Sequence, residues 1–184
     1  KNNILQGQTK VVKHSFTGNN ITRYSGLNTV SRFMNKQGII QILHTHFPTR
    51  RANATKFGVN QILLAIIMSS FSGISRLCHI ASFSGDGLVR ILLNLKSAIN
   101  EDAISRNLKK LGEKGSRVLQ EILLSINSRW LKASGLESIT LDADSTVKSV
   151  FGNQECASKG YNPHKKNAKS YHPLLVFVSE MKLL

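Results

Sequence analysis

The chain has 184 residues and a formal net charge of +15, from 25 Lys and Arg against 10 Asp and Glu. That length holds one ordinary domain or two small ones with a real core. Two cysteines are too few for a disulfide framework and fit a reducing cytosol.

The distribution of charge says more than its sum. Lys1, Lys10, Lys13, Arg23, Arg32, Lys36, Arg50, Arg51, Lys56 and Arg76 all precede the first acidic residue, Asp86. A basic region without acidic partners favours nucleic acid over the competing readings, an anionic membrane surface or a ribosomal-type protein. The apolar run Ile62 to Ile67 is broken by Ser69, Ser70, Ser72 and Ser75. It falls short of the roughly 20 residues that span a bilayer. No signal-peptide pattern opens the given sequence; the cysteine usage makes a cytoplasmic location the expectation.

In chain order, Lys1 to Asn20 is polar, with a strand-like piece around Val11, Val12 and Phe16 and a turn at Thr17 to Asn20. Leu27, Val30, Phe33 and Met34 then repeat at helical intervals, and Gly38 ends that helix. Ile39, Ile40 and Leu43 start a second short helix with His44 and His46 in its last turn, read as solvated or dipole-facing rather than as metal ligands. Pro48 breaks it, and Arg50-Arg51 falls on an exposed loop. Phe57 to Phe71 is the most apolar helix and the spine of the N-terminal region. Ile74 to Phe83 is a shorter one, with Cys78 placed in its apolar stripe as core filling.

Ser84-Gly85-Asp86-Gly87 leads into a helix over Leu88 to Leu95. Asn100 caps the next, from Glu101 to Leu111, with Glu101 and Asp102 in its first turn, Lys109 and Lys110 in its last, and Gly112 as stop. Ile104, Leu108 and Leu111 form its buried stripe, leaving Arg106, Asn107, Lys109 and Lys110 outside. Two short helices, the second polar, give either a helix-turn-helix over 86–112 or an ordinary surface helix of a bundle. The first predicts that Arg106, Lys109 and Lys110 touch DNA phosphates. Ser116 to Ala133 is a long amphipathic helix ended by Gly135, with Trp130 as the anchor between helices and sheet. The domain boundary is expected at Ser134-Gly135: 1–135 mainly helical and DNA-binding, 136–184 a sheet.

Beyond it the period changes to two. Ile139, Leu141 and Ala143 alternate with Thr140, Asp142 and Asp144, the pattern of a half-buried strand. Asp142 and Asp144 therefore share a face, where they repel unless a cation or a proton lies between them. Ser145 and Thr146 suit the strand end. A loop rich in Gly, Asn, Lys and His follows, and Leu174 to Val178 returns as a second strand. In that loop Lys148, Lys165, Lys166 and Lys169 are candidate phosphate contacts, and Tyr161 or Tyr171 a platform for a splayed base. A merely solvated charge run is the plainer alternative. Cys156, His164 and His172 lack zinc-ligand spacing.

The segment ITLDADSTVKSVFGNQECASKGYNPHKKNAKSYHPLL resembles the DDE transposases of bacterial insertion sequences, in particular DDE domain group 1. The likeness is close from Ser138 to about Leu184 and looser through NITRYSGLNTVSRFMNKQGI near the N-terminus. It implies an α+β protein: a helical N-terminal DNA-binding region followed by the first strands of an incomplete ribonuclease-H-like α/β domain. It also implies metal-dependent strand cleavage and transfer through two magnesium (or manganese) ions, roughly 3.5 to 4 Å apart. The implied partners are double-stranded DNA (terminal repeats and target) and a second copy in a synaptic homodimer, in the nucleoid of a bacterium. Asp144 matches the first acidic residue of the family's triad, with Asp142 as second-choice ligand. The second aspartate and the glutamate are expected beyond Leu184, since Glu180 arrives too early and Glu155 lies in a loop. The chain is accordingly expected to be truncated and inactive alone. A non-enzymatic helix-turn-helix protein and a metal-dependent nuclease on the same fold are the alternatives.

Overall fold

The computed structural model describes residues 21–48, 57–152, 154–163 and 165–184. The strand-like piece at Val11 to Phe16, the turn at Thr17 to Asn20, the Arg50-Arg51 loop, Lys1, Lys10, Lys13, Lys56 and His164 lie outside them. Contacts divide the chain into two compact units, 1–122 and 123–184. The first is helical; the second adds two small antiparallel sheets, an α+β composition.

The first unit holds α1 (Leu27–Lys36), α2 (Ile39–His46), α3 (Val59–Phe71), α4 (Leu77–Phe83), α5 (Gly87–Leu92) and the start of α6 (Glu101–Ser134). A helix apolar on most of its circumference must be surrounded. That helix is α3: Ile62, Leu63, Leu64, Ala65 and Met68 are buried, and α1, α2 and α4 contact it. Leu27, Met34, Leu43, Ile80, Phe83, Val89, Ile99 and Ile104 complete the core. Gly38, at φ 70°, lets α1 turn directly into α2, a conformation that side chains with a Cβ resist.

Two expected stripes are rotated. In α1 the buried positions are Leu27, Asn28, Ser31 and Met34, while Phe33 is exposed. In α4 Ile80 and Phe83 are buried and Cys78 is exposed, so Cys78 is not core filling. At 3.6 residues per turn Cys78 sits about 200° from Ile80, and a seven-residue helix has only one inward stripe.

The helix expected over Leu88 to Leu95 stops at Leu92. There the Gln61 side-chain amide donates to the carbonyls of Leu93 (3.3 Å) and Asn94 (2.9 Å), and Asn94 takes φ 52°. Asn100 caps α6 as expected, its Oδ1 accepting the Ala103 N–H at 3.0 Å. Gly112 leaves helical geometry (φ 54°, ψ −161°), but the helix resumes at once rather than at Ser116 and runs to Ser134. Gly135 (φ 70°) follows it. Among the described residues no helix is long and apolar enough to cross a membrane.

The second unit contains the last turns of α6 and the strands β1 (Leu141–Ser145), β2 (Lys148–Ser149), β3 (Ser158–Lys159), β4 (Lys169–Tyr171) and β5 (Leu174–Val178). β1 pairs antiparallel with β5, and β4 lies between β2 and β3. The two sheets share one register. Leu141 opposes Val178 and Ser145 opposes Leu174; Lys148 opposes Tyr171 and Ser149 opposes Ser170. Between them Thr146 N–H donates to Pro173 O at 3.2 Å, and beyond the strand ends Ser179 N–H donates to Thr140 O and Val150 N–H to Lys169 O, each at 3.0 Å. The bonded segments form one ribbon, 140–150 against 169–179, interrupted where Pro173 has no N–H to give. Val178 also bridges Leu183, its N–H donating at 2.8 Å, so the chain folds back along the other edge of β5.

Burial departs from expectation here. Every residue of β1 is exposed, Leu141 at 61%, and so is Leu174 on β5, at 67%. Alternation fixes which side chains share a face; burying that face takes a second layer.

Candidate metal and nucleic-acid site

Side chains alternate across a pleated ribbon, and residues opposite each other share a face. One face therefore carries Thr140, Asp142, Asp144, Thr146 and Lys148 on the first strand and Tyr171, Leu175, Phe177 and Ser179 on the second. The carboxylates share a face as the alternation predicts, with Cα atoms about 6.6 Å apart at 3.3 Å per residue.

The two aspartates are not equivalent. Asp142 Oδ2 accepts a short hydrogen bond from the Ser179 hydroxyl. Among the described residues Asp144 has no hydrogen-bond or ion-pair partner, and its carboxylate faces solvent. Such hard oxygen donors suit a divalent cation of the magnesium type, which fills remaining positions with water or phosphate oxygen. Among the described residues no group of three His, Cys, Asp or Glu gathers.

Two further acids of this unit, Glu180 and Glu155, make contacts of their own. Glu180 turns back on the strand end, its Oε1 and Oε2 accepting the Thr140 N–H at 2.9 and 3.1 Å. Backbone hydrogen bonds from its own N–H and that of Thr140 hold its carboxyl below the ordinary range. Glu155 uses its backbone carbonyl, which accepts the Tyr171 hydroxyl at 2.7 Å.

The candidate lysines separate. Lys148 and Lys169 lie on the ribbon face of the aspartates, joined by Lys159, which opposes Lys169 from β3. The reverse face holds Ser149, Ser158 and Ser170. There Asn162, buried, donates from Nδ2 to Ser149 Oγ at 2.7 Å and accepts the Lys165 N–H at 2.9 Å. Lys165 is not with the other two: its ammonium stands 4.8 Å from the centre of the Phe151 ring. Lys166 and Tyr161 are both exposed in the same loop. Lys159 opens the loop whose lysines the sequence offers to phosphate, but it is not one of the four named contacts. Its signal was the two-residue period of Ser158-Lys159, too short to stand out from a loop.

In the first unit, Arg106, Lys109 and Lys110 are exposed at three- and four-residue spacing on α6, hence neighbours on its surface. Lys110, Asn107 and Lys114 border a groove of about 570 Å³, floored by Phe57, Leu111 and Val118. Asp86 caps α5, accepting from the N–H groups of Leu88 (2.9 Å) and Val89 (3.3 Å), and Thr22 Oγ1 donates to its other oxygen at 2.9 Å. The two histidines of α2 have separate protein partners: His44 Nδ1 accepts from Asn60 Nδ2 at 2.6 Å, and His46 Nδ1 donates to Ile42 O at 2.9 Å.

A family model described as transposase DDE domain group 1 matches residues 5–184. No curated protein and no solved structure gives a significant match.

Proposed function

The chain belongs to the transposase DDE domain group 1 family, and from that premise we propose that it binds transposon-end DNA and contributes Asp144 to the metal site of strand cleavage and transfer. The observation that carries this is the ribbon face on which Asp142, Asp144, Lys148, Lys159 and Lys169 lie together. Domains of this family use divalent metal ions; magnesium or manganese bound here would activate the attacking oxygen and stabilise the departing one. Asp144 offers unengaged carboxylate oxygens to the ion. Asp142, oriented by Ser179, is the supporting ligand. Arg106, Lys109 and Lys110, on a helix-turn-helix over 86–112, together with Lys148 and Lys169 on the ribbon and Lys165 and Lys166 in the loop, grip phosphates and fix the DNA's register.

The sheet is proposed to begin a ribonuclease-H-like domain, a reading supported by the antiparallel β1–β5 pair and the fold-back at Leu183. Terminal repeats and target DNA are the proposed partners, in a synaptic homodimer on the bacterial nucleoid. With two carboxylates on the face, the chain by itself is proposed not to cut DNA, because the two-ion mechanism needs more oxygen ligands.

Manganese binding followed by electron paramagnetic resonance tests the ligand assignment. Asp144→Asn should abolish binding and Asp142→Asn weaken it less; equal binding by both variants and the wild type sinks the proposal. A magnesium-dependent cleavage assay on the purified chain should stay blank, and robust cutting overturns the claim of inactivity. The same two-carboxylate count favours a second reading, a DNA-binding regulator without catalysis. Tight DNA binding, with no metal bound at Asp144, selects it.

A further inference from the structure

We infer that Lys148, Lys159 and Lys169 form a track for the phosphates of one nucleic-acid strand, set at a fixed distance from Asp144 along the same ribbon face. The distance, though not the track, rests on the proposed role of Asp144.

The residues come from three strands. Lys148 stands on β2 opposite Tyr171; Lys169 is two residues further along β4; Lys159 opposes Lys169 from β3. Adjacent strands lie about 4.8 Å apart and residues rise about 3.3 Å each, so the three ammonium groups cover an oblique line rather than a point. Lys159 and Lys169 stand directly opposite each other across β3 and β4. Like charges directly opposed on a sheet repel one another, and a polyanion relieves that repulsion. The reverse face cannot serve, since its serines are polar but uncharged and Asn162 bonds across it.

The shared register then sets the offset. Lys148 follows Asp144 by four residues in one strand, and Lys169 precedes Leu175, the partner of Asp144, by six in the other. At 3.3 Å per residue the track spans about 13 to 20 Å of ribbon from Asp144. At about 3.4 Å per nucleotide that is roughly four to six nucleotides from a phosphate held there. Contacts of this kind position a strand without reading its sequence.

The test uses the full chain and a labelled duplex of arbitrary sequence, in EDTA so that metal plays no part. Removing one lysine that neutralises a phosphate lowers the slope of log K against log salt by about 0.9. The variant K148A/K159A/K169A should therefore show a slope lower by about 2.7. K148R/K159R/K169R should keep the wild-type slope, which separates missing charge from misfolding. An unchanged slope in the alanine triple overturns the track. Asp144→Asn should not flatten the slope, so a failed metal site and a failed track give different results. For the offset, an iron chelate attached at Asp144→Cys, in a Cys78→Ser, Cys156→Ser background, should cut about four to six nucleotides from the phosphates whose ethylation blocks binding. Cutting centred on those same phosphates overturns the shared-face geometry.

Discussion

The Thr146 N–H donates to the carbonyl of Pro173 at 3.2 Å, and Pro173 cannot return the bond. Elsewhere in an antiparallel ladder such opposed residues exchange two hydrogen bonds. The Thr146–Pro173 pair is therefore the weak link between the carboxylate half of the ribbon and the lysine half. Its position matters, because any bend there alters the spacing of the two halves.

Hydrogen exchange measures that weakness. Local opening concentrates where backbone bonds are fewest, so the Thr146 amide should exchange faster than those of Asp144 and Lys148. Equal protection at all three positions removes the weak link.

Glu180 gives the ribbon an acid dependence. Its carboxyl is held below the ordinary 4.5 by backbone hydrogen bonds, first from its own N–H and then from Thr140. The folded form thus binds fewer protons than the unfolded one near that pH. Its contribution is present above 4.5 and is lost as pH falls through the depressed folded value. Glu180→Gln should speed exchange at the Thr140 amide and make that exchange less sensitive to acid. An identical acid response in the variant rejects this role.

His44 acts in the same direction at higher pH. Burial lowers its pKa from the ordinary 6.5, and its Nδ1 is an acceptor for the Asn60 amide. The unfolded chain therefore takes up the proton more readily than the folded one. The contribution of neutral His44 is intact above 6.5 and declines as pH falls below it. Thermal unfolding should occur at lower temperature in mildly acidic buffer, and His44→Ala should reduce that drop. A His44 resonance titrating at or above 6.5 contradicts the account.

The rotated stripe of α4 predicts unequal mutants. Ile80 is buried and Cys78 exposed. Ile80→Ala should cost about 2–5 kcal/mol of unfolding free energy, whereas Cys78→Ala should stay within about 0.5 kcal/mol. Similar destabilisation of the two variants in urea places Cys78 back in the core.

The readings that survived are those governed by local rules. The period of Ile139 to Asp144 put both aspartates on one face, and Leu174 to Val178 was a strand at those bounds. Asn100 capped α6, and Gly38 and Gly135 ended helices, because capping and left-handed turns depend on a few neighbouring residues. The readings that moved depended on distant partners. Phe33 and Cys78 are apolar enough for a core, but α3 meets other sides of their helices. The α5 helix ends before Asn94, which is left-handed, and Gln61, 32 residues away, binds the Leu93 carbonyl just beyond that end.

By itself, then, the sequence determined where helix gives way to strand, which carboxylates share a face and which family the chain resembles. All of these follow from spacing and wording along the chain. Tertiary structure decided that Ser179 engages Asp142 and leaves Asp144 open, that Glu180 closes the strand end, and that Lys159 joins Lys148 and Lys169 while Lys165 turns to Phe151. Each of those pairs joins residues from separate segments, and only strand register and turn geometry bring such residues together.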